Sequence, residues 1–129
     1  MFQKIVFIFV LLCTACNYRH DKTATSLSTP EISLENLSFA TISEGILKTR
    51  CIDCHSAGRS AAHIPFETRE DLIESPLELV IPGNPEESGL MIAITRTDRN
   101  RMPPPDSGMP SLTAEEINVI RQWILEGAK

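Results

Sequence analysis

The sequence predicts a small all-α domain of about four helices, gathered round a centre that the chain does not fill by itself. Three observations carry this expectation. Apolar residues recur at helical spacing in Phe39, Ile42 and Ile46, in Leu90, Met91 and Ile94, and in Ile117, Ile120 and Ile124. Helix-start signals stand ahead of three segments, at Thr68, Asn84 and Thr113. No stretch alternates with the period of a strand, and roughly 90 residues of helix and loop make a thin core. At 129 residues the chain holds one such domain at most.

Residues 1–15 stand outside it. Lys4 gives a thin positive start, and Ile5 to Leu12 form an apolar run too short to span a bilayer. Thr14 and Ala15 are small residues ahead of Cys16, so the segment resembles a bacterial lipoprotein signal in which Cys16 is lipidated. Cys13 stands where leucine is usual, and an ordinary secretory signal cut nearby is the alternative. Residues 16–37 follow as the lipidated cysteine and a flexible tether, rich in Ser and Thr and without period. About 20 residues of such chain span roughly 25 Å root-mean-square, enough to keep the domain close to a membrane without fixing it there.

The globular domain is expected over 38–129. Phe39, Ile42 and Ile46, with Ala40, Ser43 and Leu47 on the adjoining stripe, predict a helix running directly into Cys51. A loop from Ala57 to Phe66 separates it from a short helix opened by Thr68 and Asp71 and carrying Leu72 and Ile73. Asn84, Pro85 and Glu87 predict the start of a third helix that buries Leu90, Met91 and Ile94, with Ala93 beside them. Residues 96–110 read as a proline-dominated loop. The last helix opens on the capping box Thr113-Ala114-Glu115-Glu116, closes at Gly127, and sets Trp123 beside Ile117, Ile120 and Ile124.

The missing centre is supplied by Cys51-Ile52-Asp53-Cys54-His55. C-x-x-C-H is the attachment sequence of a c-type haem. Its two thiols add to the two vinyl groups on one porphyrin edge, and the histidine that follows is brought under the iron as proximal ligand. A zinc site would need a further ligand pair, yet no cysteine follows His55 and the only later histidine is His63. A thioredoxin-like dithiol expects a βαβ context, and these flanks look helical. Cysteine usage agrees: Cys13 leaves with the signal, Cys16 takes lipid, and Cys51 and Cys54 take one haem c. A haem held by two thioethers and one or two axial bonds is the kind of staple a small scaffold needs.

Formal charge is −5, becoming −6 once Lys4 leaves with the signal. An acidic chain with one tryptophan and one tyrosine is a poor nucleic-acid binder. Arg96, Arg99 and Arg101 nevertheless cluster ahead of the Met-Pro run, and Arg50 and Arg59 flank the haem motif. Either they lie on solvated loops, or they offset haem propionates or edge a docking face.

Met102-Pro103-Pro104-Pro105 is the second informative run. Pro103 pushes Met102 toward extended angles, and the prolines stiffen a segment with few donors of its own. Such a strap can hold a thioether over the open face of a haem, where Met opposite His raises the reduction potential. Met102 is therefore the leading sixth ligand. Met109 in the same loop, His63, and no sixth ligand are the rivals, while Met91 reads as core filler.

These runs, with Ile81-Pro82-Gly83-Asn84-Pro85-Glu86, Ser88, Leu90, Leu112 to Ile117, Trp123-Ile124 and Gly127-Ala128, resemble the planctomycete-type cytochrome c domain. That is a branch of the monohaem class I cytochrome c fold, and the resemblance covers about residues 39–129. It implies a helical fold around covalent haem, with Met102 at the distal-ligand position. It further implies that the first and last helices cross near Gly45 and Trp123. The loop holding Pro65 is the one that, in similar cytochromes, offers a backbone carbonyl to the proximal histidine, so His55 Nδ1 should face Pro65 or a neighbour.

The expected function is that of a membrane-tethered electron carrier, its iron cycling between Fe(III) and Fe(II) under His55 and Met102. The alternative is a haem module that binds or senses a small ligand once Met102 is displaced. An enzyme such as a peroxidase is disfavoured, because it would want an open iron, a polar distal group and usually a second haem. The expected partners are redox proteins and, through Cys16, the periplasmic side of a bacterial membrane; a soluble periplasmic carrier is the variant without the anchor.

Overall fold

The computed structural model describes residues 34–129. The expected signal segment, Cys16 and the tether up to residue 33 lie outside the described residues. Leu37, assigned above to the tether, belongs to the packed domain: it is buried with the core residues.

The first rod is α1 (Phe39–Ile42), a π turn (Ser43–Leu47) and α2 (Lys48–Arg50) in unbroken succession. The Ser38 hydroxyl accepts the Thr41 N–H at its start. Ile42, Ile46 and Leu47 are fully buried and Ser43 nearly so, whereas Ala40 faces outward. Apolar periodicity fixes the buried stripe but does not distinguish a π turn from an α turn, so the widened turn is visible only in the structure. At the far end the Cys51 and Ile52 N–H groups both donate to the Leu47 carbonyl, which carries the helical winding into the attachment motif.

Helix α3 (Arg69–Ile73) has the capping box expected at Thr68: the hydroxyl accepts the Asp71 N–H, and the Asp71 carboxylate accepts the Thr68 N–H. The third helix is not the single element the sequence suggested. Pro85–Glu87 form a 3-10 turn, and α4 (Gly89–Thr95) starts afresh after Ser88. The reason is the buried Ser88 hydroxyl, which accepts the Ile81 N–H at 2.9 Å and donates to the Asn84 carbonyl at 2.8 Å. Asn84 caps nothing with its side-chain oxygen; its amide donates to Glu87 instead. Gly89 then lies so close to the preceding chain that a Cβ would stand 3.1 Å from the Leu77 carbonyl oxygen.

After the proline loop, whose Pro105–Ser107 form a short 3-10 turn, α5 (Ala114–Leu125) carries Val119, Ile120, Trp123 and Ile124 into the core. Among the described residues none is in a strand. Helix α5 packs on α1 and α4, with the Phe39 and Trp123 rings 6.3 Å apart. Gly127, at φ +96°, turns the chain back so that the Ala128 N–H reaches the Trp123 carbonyl. The Lys129 backbone oxygen then accepts both the Phe39 N–H and the Trp123 indole N–H, while Arg69 Nε donates to the Ala128 carbonyl. Three elements are stitched at one point. Among the described residues, no helix is long and apolar enough to cross a membrane.

Candidate haem-binding site

A cleft opens between the attachment loop, α4 and the proline strap. Cys51, Cys54 and His55 line one side; Met102, Pro103, Pro104 and Met109 line another. Ile64, Phe66, Leu79, Leu90, Ile94 and Leu112 make the rest of its surface apolar.

The attachment side is built by backbone hydrogen bonds. The N–H groups of Cys54 and His55 donate to the Cys51 carbonyl, the Ala61 N–H to the Cys54 carbonyl, and the Phe66 N–H to the His55 carbonyl at 2.9 Å. The loop from 55 to 66 is thereby closed on itself. Phe66 stacks against the imidazole with ring centroids 4.5 Å apart. His55 Nδ1 lies 2.8 Å from the Ile64 carbonyl, so Nδ1 carries the proton and Nε2 keeps its lone pair. The acceptor is thus the neighbour Ile64 and not Pro65. The chain turns between them, and Pro65 faces a separate outer groove that it shares with His63, Glu70 and Leu77. His63 lines that outer groove and not the cleft, whereas Met102 and Met109 both line the cleft.

Cys51 and Cys54 are not joined in a disulfide. Burial pushes the Cys51 thiol up to about 12, only partly opposed by Arg50. A thiol so poorly ionised is ill suited to act as a redox nucleophile. Among the described residues, no group of three or more His, Cys, Asp or Glu side chains is placed to hold a metal ion.

The distal strap is tied differently. The Met102 N–H donates to the Ala93 carbonyl at 2.9 Å, and Arg101 Nη1 to the Pro103 carbonyl at 2.6 Å. Past Pro104 the segment is held mainly by Ser107, whose N–H and hydroxyl both donate to the Pro104 carbonyl. The Met102–Pro103 peptide is cis, and Met102 is partly exposed at the cleft mouth.

Of the arginines, Arg96 pairs bidentately with Asp98 on the surface, and Arg59 and Arg99 are exposed. Arg50 alone reaches the cleft wall, as part of an ion pair with Glu116 that sequence reasoning missed. No sequence signal joins residues 66 positions apart.

Residues 51–106 match the family described as Planctomycete cytochrome C. Over that stretch the chain is similar to planctomycete cytochrome c domains. The match runs from the first attachment cysteine to just past the proline strap, leaving the flanking helices α1, α2 and α5 outside it. No curated protein and no solved structure matches the chain. That likeness points to haem c, electron carriage and an extracytoplasmic setting. The cleft fits that group: it is apolar, lined by two thiols, and edged by an imidazole whose second nitrogen is already engaged.

Proposed function

We propose that the protein is a monohaem electron carrier in which Cys51 and Cys54 hold the haem as thioethers, His55 is the proximal ligand and Met102 the distal one. The observation that carries this reading is the meeting of all four residues on one apolar cleft, with His55 Nδ1 already engaged by Ile64. The haem supplies the one-electron Fe(III)/Fe(II) couple. The chain's residues do the rest. Cys51 and Cys54 fix the porphyrin edge, and the Ile64 carbonyl holds the imidazole in the tautomer that offers Nε2. Phe66, Leu79, Leu90 and Leu112 keep water from the ring, which limits solvent reorganisation when the charge changes. Met102 reaches the cleft from a strap too stiff to need much ordering. Full coordination favours electron transfer over ligand capture or catalysis.

Cys16, lipidated behind residues 1–15, would give the two-chain attachment that stable membrane binding needs, on the periplasmic side. The chain between Cys16 and the packed domain then lets that domain turn between donor and acceptor. Optical spectra of the oxidised and reduced protein, with intact mass, test the haem assignment. One added haem, thioether-type bands and the weak near-infrared-edge band of ferric His/Met haem are expected; free thiols in a haem-attaching host would overturn it. Cys16→Ser should abolish lipid labelling and lipoprotein processing while leaving the haem spectrum unchanged. Normal processing of that variant would leave a soluble periplasmic carrier.

A further inference from the structure

We infer that Glu116 is a positioning residue for the redox centre: it pins the Arg50 guanidinium at the cleft wall and neutralises it there, so that the pair sets the potential of the bound iron. The inference rests on the haem reading above. Among the described residues Arg50 is the one charged side chain lining an otherwise apolar cleft, and it directly precedes Cys51. Its Nε and Nη2 donate to the two carboxylate oxygens of Glu116 at 2.8 and 2.9 Å, which uses two of its five N–H bonds and fixes the fork.

Glu116 is itself held from behind. Its carboxylate also accepts the Thr113 N–H at 2.7 Å, and its own N–H donates to the Thr113 hydroxyl. The capping box of α5 therefore doubles as a mount for the counter-charge. The two side chains are only 18% and 17% exposed, so solvent screens them weakly. A half-buried ion pair is a poor source of stability, since well-packed apolar residues often do as well. Its distinctive effect is on charge inside the cleft.

Paired, the two groups present a dipole; either one alone presents a net charge. Oxidation leaves the iron one positive charge richer. Arg50 without Glu116 would disfavour the ferric state and raise the potential. Glu116 without Arg50 would favour it and lower the potential. A unit charge about 10–15 Å away, at an effective dielectric of about 20, changes a two-state ratio roughly 5- to 20-fold.

The test is an equilibrium redox titration of the purified haem-loaded protein, with attachment checked by intact mass. At fixed ambient potential, Glu116→Gln should raise the ferrous-to-ferric ratio several-fold, and Arg50→Gln should lower it. The double variant should return close to wild type, and Arg50→Lys, which keeps the charge but loses the fork, should stay near it. Shifts in one direction for both single variants, or none, overturn the inference and leave the haem reading standing. If a single variant gives no holoprotein, the other two still decide: a severalfold change in Arg50→Lys or in the double variant overturns the electrostatic role. A wild-type protein without covalent haem overturns both readings.

Discussion

The two sides of the cleft are held by opposite means. On the attachment side, hydrogen bonds tie the chain between Cys51 and Phe66 to itself: Cys54 and His55 on Cys51, Ala61 on Cys54, Phe66 on His55, and the imidazole on Ile64. On the strap, prolines remove donors, and position comes from restricted backbone angles plus anchors at Ala93 and Pro104. The first device is cooperative, so damage spreads. The second is local, so damage should stay where it is made.

The largest effect should come from the attachment side. Replacing Cys51 and Cys54 with alanine should leave a chain of unmodified mass and a domain that has lost its apolar centre, read as loss of cooperative thermal unfolding. On the strap, Met102→Ala should keep the haem attached and the helices intact, yet open the iron. Carbon monoxide binding to the reduced protein should appear and the potential should fall. If Met109→Ala does this and Met102→Ala does not, the strap holds its thioether from the other end. An unfolded Met102→Ala protein would erase the contrast altogether.

Smaller effects sharpen the comparison. Thr113→Ala removes the hydroxyl that accepts the Glu116 N–H and should cost about 1 kcal/mol in denaturant unfolding of the holoprotein. Thr68→Ala, the same lesion on α3, should cost a similar amount but leave the redox titration unchanged. The smallest effect concerns acid. Burial pulls the Glu116 carboxyl up, but hydrogen bonds from Arg50 and Thr113 outweigh it and leave it below its ordinary 4.5. The unfolded state then binds the proton first, so this stabilisation is present above about pH 4.5 and drains away as pH falls through the lower folded value. Wild type and Glu116→Gln should converge in stability over that window, which parallel unfolding curves would show.

What was legible in the sequence shares a property: it is short-range. The C-x-x-C-H run and the capping boxes at Thr68 and Thr113 are complete within five residues, and the structure forms both boxes. The buried stripes on α1, α4 and α5 also follow from spacing. What escaped depends on tertiary partners. The buried Ser88 hydroxyl divides the third helix where Asn84 and Pro85 suggested one start. The π turn leaves no mark on the apolar spacing, and the acceptor for His55 is Ile64, in a loop that closes through the Phe66 N–H. The Arg50–Glu116 pair joins two helices that only the folded chain brings together.

The stitching at Lys129 concerns time as well as space. The Phe39 N–H finds its acceptor about 90 residues further along the chain, on Lys129. The same oxygen receives the Trp123 indole, and the carbonyl before it receives Arg69. Until Ala128 and Lys129 dock, the Phe39 N–H and the Trp123 indole lack their shared acceptor and α3 lacks one of its ties. Such sequence-distant closures are slow to form, because the whole intervening loop must be confined first. The tie from Phe39 to Lys129 should thus be among the last contacts to form when the domain folds, after the local turns round Cys51, Cys54 and His55.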